Sequence, residues 1–273
     1  MEKELKIIHS KPISYLEYYR QLRSQLPYIL TFFIRDTKIK YIDTFLGFGW
    51  QIGLPLIQII IFFFFYGWFF ASNESVLSKL LYVTSGFLIW NLFVKTIQEV
   101  GNSFIQQVMI LKKNPILPIV IPVSKMLSII IDHLPLLFIV LILAIVEQPG
   151  TIYNIIFIPI FLLFCHILIL PIGLVVGLLS TYKRDILLLI PYIQMLGIWF
   201  TPIFYPVNFL PAKIRDLIYL NPIAAMIDLF RYILHIQTGI SPYSGIGIGT
   251  LLLISIFCWY QYKKEESFII DRL

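Results

Sequence analysis

The chain has 273 residues, of which 59% are hydrophobic and only 13% are charged. Soluble domains carry about a quarter charged residues, so this composition excludes a chain whose surface faces water throughout. The formal net charge is +6, but the basic residues are concentrated in alternate segments between apolar runs. That distribution is a membrane-topology signal, so we expect an integral membrane protein without a nucleic-acid partner.

The first 44 residues form a polar, charged and aromatic segment. Between Tyr15 and Phe33, apolar residues recur with helical periodicity, and polar and basic residues take the opposite face. Pro27 interrupts this pattern and is expected to kink or split the helix. An amphipathic helix directly before a span is predicted to lie in the membrane interface. A small soluble helix packed on other loops is the alternative.

Residues 45–273 are predicted to form a transmembrane domain. A spanning helix needs about 20 mostly apolar residues. Six runs approach this length: Leu46 to Phe70, Leu80 to about Gln98, Ile116 to Val146, Ile155 to Ser180, Ile186 to about Tyr205, and Gly245 to Tyr260. The predicted fold class is therefore an all-α integral membrane protein with six transmembrane helices, preceded by an amphipathic interfacial helix.

The basic residues predict the orientation. Of the 21 Lys and Arg residues, all but four fall in the N-terminal segment, the C-terminal tail, and alternate loops with their flanks. The four exceptions are Lys79, Lys213, Arg215 and Arg231. Cytoplasmic segments carry the excess of Lys and Arg. We therefore predict a multi-pass membrane protein with both termini in the cytoplasm, which requires an even number of spans.

The segment 206–244 does not resemble an ordinary loop. Short helices are predicted from Ala212 to Leu220 and from Ile223 to Ile236, separated by Asn221-Pro222. Each is too short to span the bilayer. Two such helices on the outer side predict a re-entrant hairpin before the last span, because irregular backbone at membrane depth is tolerated where it lines a cavity. A cap on the outer surface is the alternative.

Nucleotide-binding and metal-binding motifs are missing from the sequence. None of the 14 glycines precedes a Lys, so the phosphate-binding motif G-x-x-x-x-G-K-[ST] fails. Cys165 and Cys258 fit neither a disulfide framework nor a metal site. We predict no catalytic, cofactor-binding or metal-binding residues. The chain is not an enzyme, and ATP hydrolysis would require a separate partner.

Ionisable residues inside apolar runs are functional candidates. Asp132-His133 lies midway along the third run and could serve a proton relay. The interpretation we favour is that Asp132 pairs with a neighbouring helix and fixes packing. Asp228 and Arg231 are three residues apart on a predicted outer helix, so we expect a local salt bridge between them.

Aromatic residues cluster near the ends of two runs. Tyr and Trp at such positions usually form an interfacial belt, but aromatic faces also stack on flat apolar faces such as those of sugar rings. The candidates for lining a sugar conduit are Phe62, Tyr66, Tyr192, Trp199, Phe200 and Phe204.

Three stretches carry a family resemblance. The first comprises Arg35-Asp36, Lys38, Lys40-Tyr41, Thr44, Leu46-Gly47, Trp50 and Pro55-Leu56. The second is Lys112-Lys113-Asn114-Pro115 followed by Leu117-Pro118. The third includes Tyr182-Lys183-Arg184-Asp185, Thr201-Pro202, Tyr205, Leu210-Pro211, Asn221-Pro222 and Arg231. Together they resemble the permease subunits of type-2 ABC exporters of the polysaccharide, O-antigen and teichoic acid export family. Lys40 stands where the family usually has Arg, which preserves the charge.

The resemblance implies a transport complex. Two copies of the chain would form a homodimer around a conduit, and two cytoplasmic ABC ATPase subunits would bind the ATP and Mg. A coupling helix would lie in 99–115, and the 181–185 loop would be a second contact. The residues assigned to this coupling are Gln106, Lys112, Lys113, Asn114, Arg184 and Asp185. The outer gate helices would lie in 206–240, and the gate residues are Tyr205, Pro211, Asn221, Pro222 and Arg231.

The implied cargo is a lipid-linked polysaccharide of the O-antigen type, exported for lipopolysaccharide biosynthesis. Arg35, Lys38 and Lys40, with Tyr41 beside them, would hold the pyrophosphate of the lipid carrier. Binding of anionic lipid head groups is the alternative role for these cations. Teichoic acid or capsule polysaccharide is an alternative cargo for the same mechanism, and a secondary transporter is the alternative from another class.

Overall fold

A computed structural model describes residues 15–42, 49–69 and 75–273 of the chain. Within these ranges every regular element is helical and no strand occurs, which confirms the all-α class. The α-helices there are α1 Tyr15–Ser24, α2 Leu26–Ile42, α3 Trp50–Phe69, α4 Val76–Gln106, α5 Val108–Lys113, α6 Val120–Glu147, α7 Phe157–Tyr182, α8 Asp185–Gly197, α9 Ala212–Ile218, α10 Pro222–Ile233, α11 Pro242–Glu265 and α12 Ile269–Arg272. Short 3-10 turns occupy Pro149–Asn154, Ile198–Phe200, Val207–Phe209 and Glu266–Phe268.

Four helical segments of the described chain are long and apolar enough to cross a membrane. They are α4, α6, α7 and the continuous stretch Pro242–Arg272. The predicted first and fifth spans correspond to shorter apolar stretches, Pro55–Phe65 within α3 and Asp185–Phe200. Four predicted spans are therefore confirmed by length and composition, and the count of six stays a prediction.

The second predicted span is longer than expected. Helix α4 continues from the predicted end near Gln98 to Gln106, so about half of the predicted loop 99–115 belongs to α4. Lys95 does not end the helix, and Asp132 and Glu99 lie close enough to interact with its charge. A break at Gln107 then separates α4 from the short helix α5.

The fifth predicted span is shorter than expected. Helix α8 and the turn after it end at Phe200, and Thr201 is extended with φ −122° and ψ 132°. Thr201 precedes Pro202, and a residue before proline is driven out of the helical conformation by steric clash with the proline ring. The remaining residues up to Tyr205 are therefore irregular.

The N-terminal segment is split into two helices, as predicted. The break falls at Gln25, and Pro27 lies in the first turn of α2, where a missing backbone N–H costs no helical hydrogen bond. Of the predicted apolar face, Ile29 is buried, whereas Leu16, Tyr19 and Leu30 remain exposed. The pair of helices therefore keeps an uncovered apolar surface.

The two ends of the described chain meet at one end of the bundle. The Tyr18 hydroxyl of α1 donates to the Glu266 carboxylate at 2.8 Å, and the Lys263 ammonium lies 3.0 Å from the centre of the Tyr18 ring. Burial, together with the neighbouring Glu266 carboxylate, raises the pKa of Tyr18 well above its ordinary value, so the phenol stays a donor. The N-terminal helices are thus fixed to the C-terminal segment.

Helices α4 and α7 pack closely against each other at glycines of α7. A Cβ atom on Gly173 would lie 2.9 Å from Val100, and one on Gly177 would lie 2.9 Å from the Phe104 ring. The pair forms a G-x-x-x-G spacing, which brings helix backbones together in membranes, where packing rather than water exclusion drives association. Phe104 and Val100 are fully buried at this contact.

We predict that Gly177→Val destabilises the protein. The added atoms must displace the buried Phe104 ring or the Gly101 carbonyl, which lies 3.2 Å from the Cβ position; overpacking of this kind costs about 1–3 kcal/mol. Thermal unfolding in mild detergent should show a lower midpoint. Gly249→Val is the matched control, because a Cβ there meets nothing within 4 Å. Equal midpoints for the two variants would contradict the packing role.

Candidate functional site

Helix α2 lies along the first half of α6. Three side-chain contacts join them in parallel order: Asp36 with Lys125 at 2.9 Å, Thr37 with Ser128 at 3.3 Å, and Lys40 with Asp132. On α6 the three residues recur at intervals of three, four and seven, so they share one helical face. On α2, Lys40 follows Thr37 by three residues and Asp36 by four, so it is a helical neighbour of both. Arg35 also binds Asp36, at 2.6 Å. The basic segment of α2 is therefore held by carboxylates rather than left free.

Asp132 is the most deeply buried charge in this set, with a side chain 1% exposed, whereas the Lys40 side chain is 35% exposed. Lys95 of α4 approaches the same carboxylate. A buried carboxylate persists only where cations and donors compensate its lost hydration. The predicted pairing of Asp132 with a neighbouring helix is confirmed by this geometry, and its role in fixing the packing stays a prediction.

His133 points to a different partner. Its Nδ1 lies 2.7 Å from the Ile129 carbonyl oxygen, and its ring meets the ring of His166 on α7 at 5.7 Å between centroids. Asp132 therefore pairs with Lys40 of α2, whereas the His133 ring packs against α7.

A cavity of about 450 Å³ opens where α2, α4 and α6 meet. Its charged lining residues are Arg35, Asp36, Lys40, Glu99 and Lys125. This volume falls in the range of small-molecule sites. The cavity presents three cations and two carboxylates, so it suits a phosphate group that displaces one internal partner. Lys38 lies outside this lining; it is exposed and has no ion-pair partner in the described part of the chain. The side chain of Tyr41 falls outside the described residues.

The predicted coupling residues lie at the same end of the bundle. All six are exposed: Gln106, Lys112, Lys113, Asn114, Arg184 and Asp185. The C-terminal helix α12 contacts both α5 and α7, and Arg272 lies over the Tyr182 ring at 4.2 Å. The two predicted contact loops are thus bridged by the C-terminus. The Leu117 amide also donates to Gln25 at 2.8 Å, which ties the loop to the break between α1 and α2.

The opposite end of α4 holds a buried arginine. Arg231 is 2% exposed, lies 3.4 Å from the centre of the Tyr82 ring, and donates to the carbonyls of Tyr82 and Ile203 at 3.0 and 3.1 Å. A Cβ on Gly86 would come within 2.9 Å of its guanidinium. Arg231 therefore joins α10 to α4 and to the irregular backbone after α8.

The predicted salt bridge between Asp228 and Arg231 is wrong. Asp228 accepts from the Ser241 amide at 2.9 Å, the Ser244 hydroxyl at 2.5 Å and the Gln237 side chain at 2.7 Å. These uncharged donors replace the hydrogen bonds that the carboxylate would make with water. Arg231 instead meets backbone carbonyls, because its side chain points to α4 rather than along its own helix.

The remaining gate residues define turns at this end. Asn221 caps α10 by accepting from the Ile223 amide at 3.0 Å, and Pro222 occupies the first position of that helix. Pro211 precedes α9, and the Tyr205 hydroxyl donates to the Trp199 carbonyl at 3.3 Å. These contacts give the residues structural roles, and their role in gating stays a prediction.

The aromatic conduit candidates fall into two groups. Phe62 stacks on Phe204 with centroids 4.9 Å apart, and Phe204 is buried in the core. Tyr192, Trp199 and Phe200 are more than half exposed. Only this second group is presented on the surface of a single chain. The side chain of Tyr66 lies outside the described residues.

Sequence reasoning missed Lys125, which pairs with Asp36, and Glu99, which lines the same cavity. It also missed the pairing of Asp36 with Arg35. The helical spacings of Asp36 with Lys40, four residues, and of Lys125 with Asp132, seven residues, each place two opposite charges on one helical side and were the signal that could have found this network. Among the described residues, no three His, Cys, Asp or Glu side chains are placed to hold a metal ion.

Comparisons with known proteins give a consistent result. The sequence model of the family described as ABC-2 type transporter matches residues 28–235. Two proteins from Klebsiella pneumoniae, both described as O-antigen export system permease protein RfbA, are 25% identical to the chain over 239 and 240 residues. Each alignment covers 85% of this chain and 91% of the relative.

We predict that Asp132→Asn weakens the packing of α2 on α6. The substitution leaves the Lys40 and Lys95 cations without their buried counter-charge, and an unsatisfied buried group costs about 1–3 kcal/mol. Limited proteolysis within α2 and the thermal midpoint in detergent are the measurements. Asp271→Asn, an exposed position, is the control. Proteolysis rates equal to those of the unaltered protein would contradict the role given to Asp132.

Proposed function

Because this chain belongs to the ABC-2 type transporter family, we propose that it is the membrane-spanning subunit of an ATP-driven exporter. Its cargo is a lipid-linked polysaccharide of the O-antigen type, moved from the cytoplasmic to the outer side of the inner membrane for lipopolysaccharide biosynthesis. The observation that carries this proposal is the similarity to two O-antigen export permeases along 85% of the chain. The exporter class follows from the family.

The proposed topology has six spans with both termini in the cytoplasm. The contact between Tyr18 and Glu266 supports it, since the first and last described helices share one end of the bundle and an even number of crossings gives that result. The excess of Lys and Arg at this end supports the cytoplasmic assignment. Helices α3 and α8 supply the two shorter crossings, and α9 and α10 form the outer re-entrant hairpin.

The ATPase partner docks on the surface formed by α5, the 182–185 loop and α12, and it binds the ATP and Mg. Exposed cations of this surface are Lys112, Lys113 and Arg184. Leu111 packs α5 into the core. A movement of α5 caused by the ATPase is therefore transmitted to α4 and is not lost in a flexible loop. Packed helices respond to such a movement as rigid bodies.

A homodimer encloses the conduit. Most of the side chains of α8 are exposed, and its outward residues include Leu188, Tyr192 and Met195. The Tyr192 hydroxyl would find no hydrogen-bond partner among lipid tails. A second copy facing α8 would turn Tyr192, Trp199 and Phe200 toward a shared path, where aromatic faces can contact sugar rings.

The carrier lipid binds at the inner interface. The charged cavity beside α2 supplies cations for its pyrophosphate, and Lys38 extends them toward the exposed side of the helix. Cations favour phosphate through charge-assisted hydrogen bonds. The internal pairs of Arg35 and Lys40 keep these side chains oriented before the carrier arrives.

We predict that the double variant Lys112→Glu, Lys113→Glu loses the ATPase partner. Both side chains are exposed, so the reversal leaves the bundle folded but places carboxylates on the docking surface. Purification of the tagged chain in mild detergent, with mass spectrometry of bound proteins, measures the loss. Lys264→Glu, an exposed charge on α11, is the control. An ATPase retained at the original ratio would overturn the docking surface, and its absence from the unaltered protein would overturn the exporter proposal.

We predict that Lys38→Gln slows export without altering assembly. This cation has no internal partner among the described residues, so its removal leaves the ion pairs of Arg35 and Lys40 intact. Flipping of a radiolabelled lipid-linked glycan in vesicles containing the full complex is the measurement. Lys213→Gln at the opposite end of the bundle is the control. Unchanged export with Lys38→Gln would mean that α2 does not contact the carrier through this charge.

A further inference from the structure

A second cavity, of about 190 Å³, lies at the end of the bundle opposite to the charged one. The start of α4, the turn after Pro206 and the segment after α10 enclose it. Ser78, Tyr82, Val207, Asn208, Tyr219 and Gln237 are among its lining residues, and none of the lining residues carries a full charge. Pockets for drug-sized ligands measure about 300–1,000 Å³, so this cavity fits one small ring rather than a chain.

Several hydrogen-bonding groups of this cavity are available to a ligand. The side chains of Ser78 and Asn208 have no hydrogen-bond partner among the described residues. The Gln237 amide nitrogen donates to Asp228 at 2.7 and 2.8 Å, which leaves its carbonyl oxygen as an acceptor. Together they offer a hydroxyl, an amide and a carbonyl oxygen around a small space.

The buried Asp228 holds two walls of the cavity in place. It accepts from Gln237 and also hydrogen-bonds the Tyr219 side chain. Burial, and then the nearby Asp228 carboxylate, raises the pKa of Tyr219 above its ordinary value, so the phenol remains neutral. The Arg231 guanidinium packs on one face of the Tyr82 ring. The lining is therefore both uncharged and oriented before any ligand binds.

From these observations we infer that this cavity binds a single uncharged sugar residue. Hydroxyl, amide and aromatic groups are the chemistry that recognises a polyhydroxylated ring, because the ring presents alternating donors and acceptors with apolar faces. The absence of charge from its lining disfavours phosphate and carboxylate ligands. The inference deepens the proposed export of a polysaccharide and rests on it for the choice of sugars. The cavity would hold one residue of the glycan as it leaves the complex.

Cysteine labelling tests this site. Both native cysteines, Cys165 and Cys258, are buried, so Asn208→Cys places one accessible thiol at the cavity wall. The rate of maleimide labelling is measured on the purified full chain without its ATPase, in galactose, glucose, mannose or N-acetylglucosamine. Protection should slow labelling about threefold when the free sugar is at twice its Kd. Lys213→Cys, exposed on α9, is the matched control.

Ser78→Cys is a second reporter on another wall, so one misfolded variant does not decide the result. Protection of both reporters by at least one neutral sugar, with no protection of the control, supports the site. Unchanged rates in every sugar up to its solubility would overturn it, and equal protection by glucose 6-phosphate would overturn the assignment to uncharged ligands. Because no ATPase or transport is involved, loss of this site leaves the export proposal standing. Failure of export in the full complex would in turn leave the labelling result unchanged.

Discussion

The position of α2 depends on one buried carboxylate. Asp132 lies in the middle of a membrane-length helix, where its charge is tolerated only with a counter-ion at hand. Lys40 supplies that charge, and the pair fixes how far α2 reaches along α6. The cavity beside α2 follows from this placement. A basic segment that would otherwise move freely on the membrane surface is thereby built into the bundle.

The two ends of α4 differ in chemistry. About 25 residues separate Tyr82 from Gln107, which corresponds to roughly 37 Å of helix, close to the thickness of a bilayer. One end opens on a charged cavity and the other on an uncharged one. Between these two ends, glycine contacts with α7 hold α4 closely packed. A single rigid helix therefore connects a surface suited to phosphate with a surface suited to hydroxyl groups.

The sequence was sufficient for the features that depend on local pattern. Apolar length located α6 and α7 within a few residues, and Pro27 marked the split of the N-terminal helix. Local pattern could not reveal pairings between distant residues. Asp228 and Arg231 satisfied the spacing rule for a salt bridge, yet each contacts another helix instead. Asp228 accepts from Ser244, and Arg231 packs on the Tyr82 ring.

The candidate site shows the same division. The exposure of Lys112, Lys113 and Arg184 could be predicted from charge alone, because exposed charges need no partner, and their coupling role stays a prediction. Lys125 and Glu99 could not be found in this way, since their importance lies in which helix each one faces. The extension of α4 past Gln98 was missed for a related reason: Lys95 appeared to end the span, whereas Asp132 on another helix accommodates its charge.

The contact between α1 and the C-terminal segment has a consequence for biogenesis. Tyr18 and Glu266 are 248 residues apart, and a ribosome adding about 5–20 residues per second needs roughly 10–50 s to pass from one to the other. During that interval α1 exists without its partner. Its uncovered apolar residues can rest in the bilayer interface, so the first helix to emerge is among the last to reach its final place.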